Sequence, residues 1–76
     1  MVVAYVLVKA TTGDVERLSD AMADVQGVTG VHVVAGDVDF VARVEVDSPA
    51  AVRAAVVSEI QGIDGVESTR TYLAMD

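Results

Sequence analysis

Apolar and polar positions follow two different periods along this chain. Residues 2–8 are a continuous apolar run rich in β-branched types, which is typical of a buried strand. After a turn-forming segment at residues 11–14, apolar residues recur at spacings of three and four from Val15 to Val25, with acidic residues on the other side. That period predicts an amphipathic helix, which Gly27 ends.

The second half of the chain repeats these signals with one extra strand. Residues 28–35 and 38–46 are apolar and β-rich, and Gly36-Asp37 between them predicts a short hairpin connection. Ser48-Pro49 predicts the start of a second helix, with Ser48 as N-cap and Pro49 at the first helical position. Residues 66–74 form a fourth predicted strand. The inner face of the second helix is predicted to comprise Val52, Ala55, Val56, Ile60 and Ile63, with Gly62 and Gly65 at its end.

The predicted order is therefore β-α-β-β-α-β, and an internal repeat supports it. Residues 27–31 (GVTGV) are echoed by residues 62–66 (GIDGV) at an offset of 35 positions, from Gly27 to Gly62. Two similar βαβ halves are characteristic of the ferredoxin-like fold. We therefore expect an α+β ferredoxin-like βαββαβ sandwich, a single domain with a four-stranded antiparallel sheet and two helices on one face.

The predicted sheet is apolar on both faces. Two helices cover one face only, and an exposed second face would alternate with polar residues if it met water. The first strand does not alternate, and the third strand places Val41 among charged residues on its second face. A large exposed apolar surface marks an interaction site, so we expect the chain to form a homodimer through its sheet faces. An unknown second protein is the alternative partner.

Composition and charge exclude several functional classes. The 76 residues contain no cysteine, which removes disulfides, thiolate chemistry and cysteine-ligated metals. The net charge is −7, and the five basic residues are scattered singly, so we expect no direct contact with nucleic acid. Apolar runs are too short to span a bilayer, and no signal peptide is recognisable, which favours the cytoplasm. The acidic surface suits either a high-salt cytosol or an ordinary acidic protein.

The motifs in order resemble a known family over essentially the whole chain. They are Gly27-x-x-Gly30-Val31, then Val33-Val34-x-Gly36-Asp37-x-Asp39, then Ser48-Pro49, and finally Ile60-x-Gly62-Ile63-x-Gly65-Val66-x-x-Thr69-x-Thr71. This series is similar to the effector-binding domain of leucine-responsive/AsnC (Lrp/AsnC) regulators. No helix-turn-helix segment precedes Met1, so the resemblance does not extend to DNA binding.

The resemblance implies a non-catalytic, oligomeric domain that senses amino acids or related metabolites at subunit interfaces. It implies sheet-to-sheet dimers, which assemble further into tetramers of dimers (octamers), and it leaves open co-assembly with full-length regulators. The ligand-binding residues that it implies are Gly36, Asp37, Val38, Asp39, Thr69 and Thr71. Val38 departs from the family, which commonly has an aromatic residue there.

The chemistry of these residues suits an amino acid independently. Backbone N–H groups of a glycine-containing turn can cradle a carboxylate, and Asp37 or Asp39 can pair with an ammonium group. Thr69 and Thr71 add hydroxyl groups. The alternative interpretation is that Gly36-Asp37 closes a hairpin and Asp39 is a solvated strand residue.

An enzyme is the competing functional class, because dimeric ferredoxin-like chains include small oxygenases and isomerases. His32 is the only histidine, and no nucleophile–base pair or metal-ligand spacing accompanies it. Acylphosphatases share the fold but need an asparagine, which this chain lacks. Tyr5 and Tyr72 are candidates to line a pocket, but we interpret them as core residues, which buried strand tyrosines usually are. We therefore expect no catalysis, no metal and no cofactor, and a purely structural oligomer is the remaining alternative.

Overall fold

The computed structural model describes residues 1–75, with side chains at all of these except 55–57. It contains strands β1 (Val2–Ala10), β2 (Val28–Val33), β3 (Phe40–Val46) and β4 (Val66–Leu73). Helix α1 spans Val15–Ala23, and α2 spans Pro49–Arg53 and continues as a π-helical segment, Ala54–Ile60. The strands form one antiparallel sheet in the order β2-β3-β1-β4. The ferredoxin-like βαββαβ prediction is confirmed.

The core lies between the sheet and the helices, and it follows from the period-two pattern of the central strands. Every second residue of β1 and β3 is buried against the helices, and Phe40 is the largest fully buried side chain. The buried apolar residues are Ala4, Val6, Val8, Leu18, Met22, Val25, Phe40, Ala42, Val44, Val52 and Ile60. Of the predicted helix faces, Val15 is exposed, Ile63 lies beyond the helix, and Ala55 and Val56 fall outside the described side chains.

The helix starts differ in how they are capped. Ser48 acts as predicted, since its Oγ accepts the Ala51 N–H at 3.2 Å and Pro49 opens the helix. Asp14 occupies the N-cap of α1 without a side-chain cap, because its carboxylate accepts a hydrogen bond from Arg17 Nε at 2.9 Å.

The connection between β2 and β3 is longer than predicted. It spans residues 34–39 and is not a tight hairpin at Gly36-Asp37.

The internal repeat is real, but its register differs from the predicted offset of 35. In the structure Gly27 and Gly65 are equivalent: each has φ near +100° and directly precedes an edge strand. Val28 N–H bonds Val25 O, and Val66 N–H bonds Ile63 O, both at 3.1 Å. The offset is therefore 38 positions, because the backbone conformation, rather than the number of glycines, defines the correspondence.

Both edge strands also carry a β-bulge at equivalent positions. The pairing of β2 with β3 slips at Thr29, and the pairing of β4 with β1 slips at Glu67, which lies 38 positions later. A bulge increases the twist of the strand and disrupts its straight ladder. The two halves therefore share the conformation that leads into the edge strand and the position of the bulge within it.

No helix among residues 1–75 is long and apolar enough to cross a bilayer.

Gly65 is required by its conformation and its surroundings, which gives a first prediction. A Cβ at this position would lie 2.9 Å from Thr12 Cγ2 and 3.1 Å from Arg17 Nη2, at φ +103°. We expect Gly65→Ala to lower the free energy of unfolding by about 1–3 kcal/mol in urea titrations. Gly13→Ala is the matched control, since nothing lies within 4 Å of its Cβ. Equal effects of the two variants would contradict the prediction.

Candidate functional site

The loop at residues 34–39 is closed by backbone hydrogen bonds at its base. Val34 N–H donates to Asp39 O, and Asp39 N–H donates to Val8 O, both at 2.9 Å. Gly36 has φ +143°, a conformation that favours glycine, and nothing lies within 4 Å of its Cβ position. Asp37 is exposed, and Val38 is half-buried. The loop therefore presents backbone groups and one free carboxylate to its surroundings.

Asp39 has a structural role that the sequence did not predict. Its Oδ2 accepts the Ala10 N–H at 2.9 Å, where the side chain takes the place of a strand partner at the end of β1. A buried or half-buried donor left without an acceptor costs about 1–3 kcal/mol. An Asp39→Ala variant therefore perturbs the fold as well as any ligand, whereas Asp39→Asn retains an acceptor oxygen.

Thr69 and Thr71 lie on β4, on the same side of the sheet as the helices. They pair with Val8 and Val6, respectively, whose side chains belong to the core. The Thr69 hydroxyl accepts a hydrogen bond from Gln61 Nε2 at 2.7 Å, while Thr71 is exposed. Only Thr71 therefore presents its hydroxyl freely to solvent among the contacts described.

The six predicted residues reach one end of the sheet but do not form one pocket within a chain. Asp39 bonds to Val8 on one side of β1, and Thr69 pairs with Val8 on the other. Two strand spacings of about 4.8 Å separate them, roughly 10 Å in all. The loop and the threonines are thus two patches on either side of the end of β1.

The sheet surface away from the helices, which we call the open face, is the largest feature outside these patches. The register places one row of side chains across all four strands: Gly30, Arg43, Tyr5 and Tyr72. The adjacent row consists of His32, Val41, Leu7 and Arg70. Tyr5 and Tyr72 are 41% and 52% exposed, so they belong to this surface and not to the core as predicted.

Arg43 is held at the centre of the open face by two partners on its own chain. Its Nη1 donates to Glu45 Oε2 at 2.7 Å and to Thr29 Oγ1 at 2.8 Å. The hydrogen bond to Glu45, with a smaller contribution from the neighbouring Tyr5, raises the pKa of Arg43 above its ordinary value. The spacing in the sequence places Arg43 and Glu45 on one face of β3. The hydrogen bond between Arg43 and Thr29 was not predicted, because it depends on the β-bulge at Thr29.

Two depressions lie outside the predicted site. One, of about 300 Å³, is on the open face and is lined by Met1, Val2, Val3, Tyr5, Arg43 and Ala74. The other, of about 770 Å³, lies between the α1–β2 turn and α2, and its lining includes Asp24, Glu45, Asp47 and Glu59. His32 is exposed on β2 and faces Val41 across the strands. Within residues 1–75, no three His, Asp or Glu side chains converge as metal ligands.

Known proteins share this architecture. The family model described as Lrp/AsnC ligand binding domain matches residues 3–76. The crystal structure of a Thermus thermophilus protein is 33% identical, with TM-score 0.93, and the match covers 100% of this chain and 95% of that one. No curated protein sequence matches.

Longer regulators contain the same fold. Escherichia coli AsnC is 20% identical with TM-score 0.90, and the match covers 99% of this chain and 51% of that one. A Neisseria meningitidis transcriptional regulator in complex with L-Met is 13% identical with TM-score 0.86, covering 99% of this chain and 50% of that one. The chain therefore spans about half the length of these two regulators.

Proposed function

Because the chain belongs to the Lrp/AsnC family of ligand-binding domains, we propose that it is a non-catalytic sensor of an amino acid or a related small metabolite. It assembles with copies of itself in the cytoplasm and, through them, with full-length regulators of the same family. The family match over residues 3–76 is the observation that carries this proposal. In this proposal the open face mediates self-association, and the loop at residues 34–39 binds the effector.

Self-association through the open face is supported by its composition and its size. Leu7, Val41 and Val3 are only half-buried in a single chain, and two tyrosines beside them are exposed. Four strands of about seven residues span roughly 19 by 23 Å, so two facing copies bury on the order of 1,000 Å² of accessible surface. That area reaches the lower range of specific interfaces. Facing sheets would pack about 10 Å apart.

We propose that the effector binds at the loop of residues 34–39 and beside the threonines of β4. The free backbone groups of Gly36, Asp37 and Val38 suit the carboxylate of an amino acid, and the Asp37 carboxylate suits its ammonium group. Thr71 offers an exposed hydroxyl, and Asp39 positions the loop through Ala10. Since these groups form two patches within a chain, a closed pocket requires a neighbouring subunit in a larger assembly such as an octamer.

Sensing then follows from linkage between binding and assembly. A ligand held between subunits stabilises whichever assembly forms its pocket, and it shifts the population towards that assembly. Escherichia coli AsnC is about twice the length of this chain. Because the fold of this chain corresponds to about half of that regulator, co-assembly through the shared domain changes the composition of the assemblies that longer regulators form.

Thermal unfolding against a panel of the proteinogenic amino acids tests the proposal. A ligand present at about 100 times its dissociation constant adds about 2.7 kcal/mol, which raises the unfolding midpoint of so small a domain by roughly ten degrees. Methionine belongs in the panel because the Neisseria meningitidis regulator was crystallised with it. We expect a selective shift with one amino acid or a small group of them.

Two variants separate the binding site from general stability. Asp37→Asn removes the charge that pairs with an ammonium group, and Asp39→Asn removes the second carboxylate of the loop while keeping an acceptor for the Ala10 N–H. We therefore expect the ligand-induced shift to fall while the ligand-free midpoint changes little. Asp64→Asn is the control, because Asp64 is also an exposed loop carboxylate. An unchanged shift in both site variants would move the effector elsewhere. The absence of any shift with the whole panel would favour a structural oligomer or a different metabolite.

A further inference from the structure

The basic residues of this chain are concentrated on one side of the sheet. Of the five, the strand register places Lys9, Arg43 and Arg70 on the open face, where they alternate with residues on the helix side. Glu45 is the one carboxylate that the described register pairs place among them, and it forms an ion pair with Arg43. The open face is therefore locally positive, although the whole chain has a net charge of −7.

Lys9 and Arg70 are neighbours at one corner of the open face, where the end of β1 meets the edge strand β4. Lys9 pairs with Ser68, and Leu7 pairs with Arg70, so the two cations stand diagonally across the two strands. The Cβ atoms of such a pair are about 7 Å apart, which long side chains can bridge. Both residues are exposed, so a group that lies between them can approach from solvent.

The two cations have no counter-charge in the part of the chain that the structure describes. Within residues 1–75, Lys9, Arg70 and the bulge residue Glu67 take part in no ion pair. Asp39 also lies beside the end of β1, but its Oδ2 accepts the Ala10 N–H at 2.9 Å. Two like charges on adjacent strands repel each other. An anion bound between them removes this unfavourable interaction.

We propose that Lys9, Arg70 and the Ser68 hydroxyl bind a phosphate group, as inorganic phosphate or as part of a phosphate monoester. A guanidinium presents a fork of N–H donors, an ammonium group is a compact point charge, and a hydroxyl adds one more donor. A phosphate group has three terminal oxygens and a charge of about −1.5 to −2 at pH 7, so it can serve all three donors. A carboxylate has only two oxygens and a single charge.

This site is separate from both surfaces of the proposed function. It lies outside the loop at residues 34–39, and all three of its side chains come from one subunit. Its position at a corner of the sheet, away from the row that contains Tyr5 and Arg43, keeps it open to solvent. Phosphate binding therefore requires neither the amino-acid effector nor a second copy of the chain.

The negative net charge of the chain does not prevent binding at this corner. Charges separated by more than about 8 Å are largely screened at physiological ionic strength, and the acidic residues of α1 lie on the other side of the sheet. The cations at the corner are close enough to act together. Two cations suit one phosphate group, whereas the backbone of a nucleic acid needs a longer row of them.

Isothermal titration calorimetry of the purified chain tests the site in a zwitterionic buffer, with the ionic strength held constant by sodium chloride. The probes are inorganic phosphate and glycerol 3-phosphate, with acetate as a singly charged comparison. We expect saturable binding of a phosphate probe that is at least about tenfold tighter than binding of acetate. Tighter binding of the ester would identify a phosphate monoester as the ligand, and tighter binding of inorganic phosphate would identify the free ion. Saturation by neither phosphate probe would overturn the site.

Three charge-removing variants locate the binding. Lys9→Gln and Arg70→Gln are each expected to weaken phosphate binding at least about fivefold, because each removes one charge-assisted contact. Arg53→Gln removes the same charge from the exposed surface of α2 and is expected to leave the affinity within about twofold. All three positions are exposed, so we expect unchanged circular dichroism spectra. Equal weakening in all three variants would mean that phosphate responds to net charge alone, which would overturn the site.

Discussion

Leu7→Asp is expected to convert the proposed self-assembled form of the protein into monomers. Leu7 lies on central strand β1, with Val41 and Arg70 beside it on the open face, and it is half-buried even in a single chain. In a two-fold dimer the substitution buries two new carboxylates at the centre of the interface, each with Arg70 as the neighbouring cation on its own chain. Burying each one costs several kcal/mol, so the dissociation constant is expected to rise by more than about a hundredfold.

Light scattering and sedimentation over a range of protein concentrations measure this effect. Circular dichroism shows whether the variant remains folded, which we expect because the new carboxylate of a monomer faces water. Ala23→Asp adds the same charge to an exposed position of α1 and serves as the matched control. A Leu7→Asp chain that stays dimeric would exclude the open face as the interface.

Phe40→Ala is expected to have the largest effect on folding. Phe40 is the largest fully buried side chain, and it stands at the first position of β3, paired with Val8 and Val33. Truncating a buried phenylalanine typically costs about 3–5 kcal/mol through lost contacts and the remaining cavity. For a domain of this size that corresponds to a fall in the unfolding midpoint of roughly 15 degrees or more.

Val33→Ala is the matched control because Val33 pairs with Phe40 but is 58% exposed. We expect its effect to be below about 1 kcal/mol. Both variants need to be compared at one protein concentration, since assembly adds to apparent stability. Similar losses in the two variants would mean that Phe40 does not anchor the core.

The sequence predicted the order of elements because alternation and helical spacing are local properties. The buried residues of β3 and the N-cap at Ser48 appear directly in the pattern. The two tyrosines were misassigned because a strand's period shows which residues share a face, but not which face the helices cover. The helix layer lies against Val6 and Val8, which leaves Tyr5 on the open face.

The structural features that the sequence did not predict depend on contacts between residues far apart in the chain. Asp39 bonding to the Ala10 N–H joins positions 29 residues apart, and no spacing rule indicates it. The bulge at Thr29, which brings its hydroxyl to Arg43, is likewise a property of strand pairing. The candidate loop at residues 34–39 was located correctly as a connection, but its greater width could not be predicted from Gly36-Asp37 alone.

The paired bulges at Thr29 and Glu67 have a consequence for how these molecules behave in a crowded solution. Each sits on an outer strand, where a straight row of unpaired N–H and C=O groups would recruit the strands of other proteins. The bulges twist both edge strands and interrupt their rows of unpaired N–H and C=O groups. This holds whether or not another molecule covers the open face. A single chain therefore keeps protection against fibrillar stacking even where its open face is uncovered.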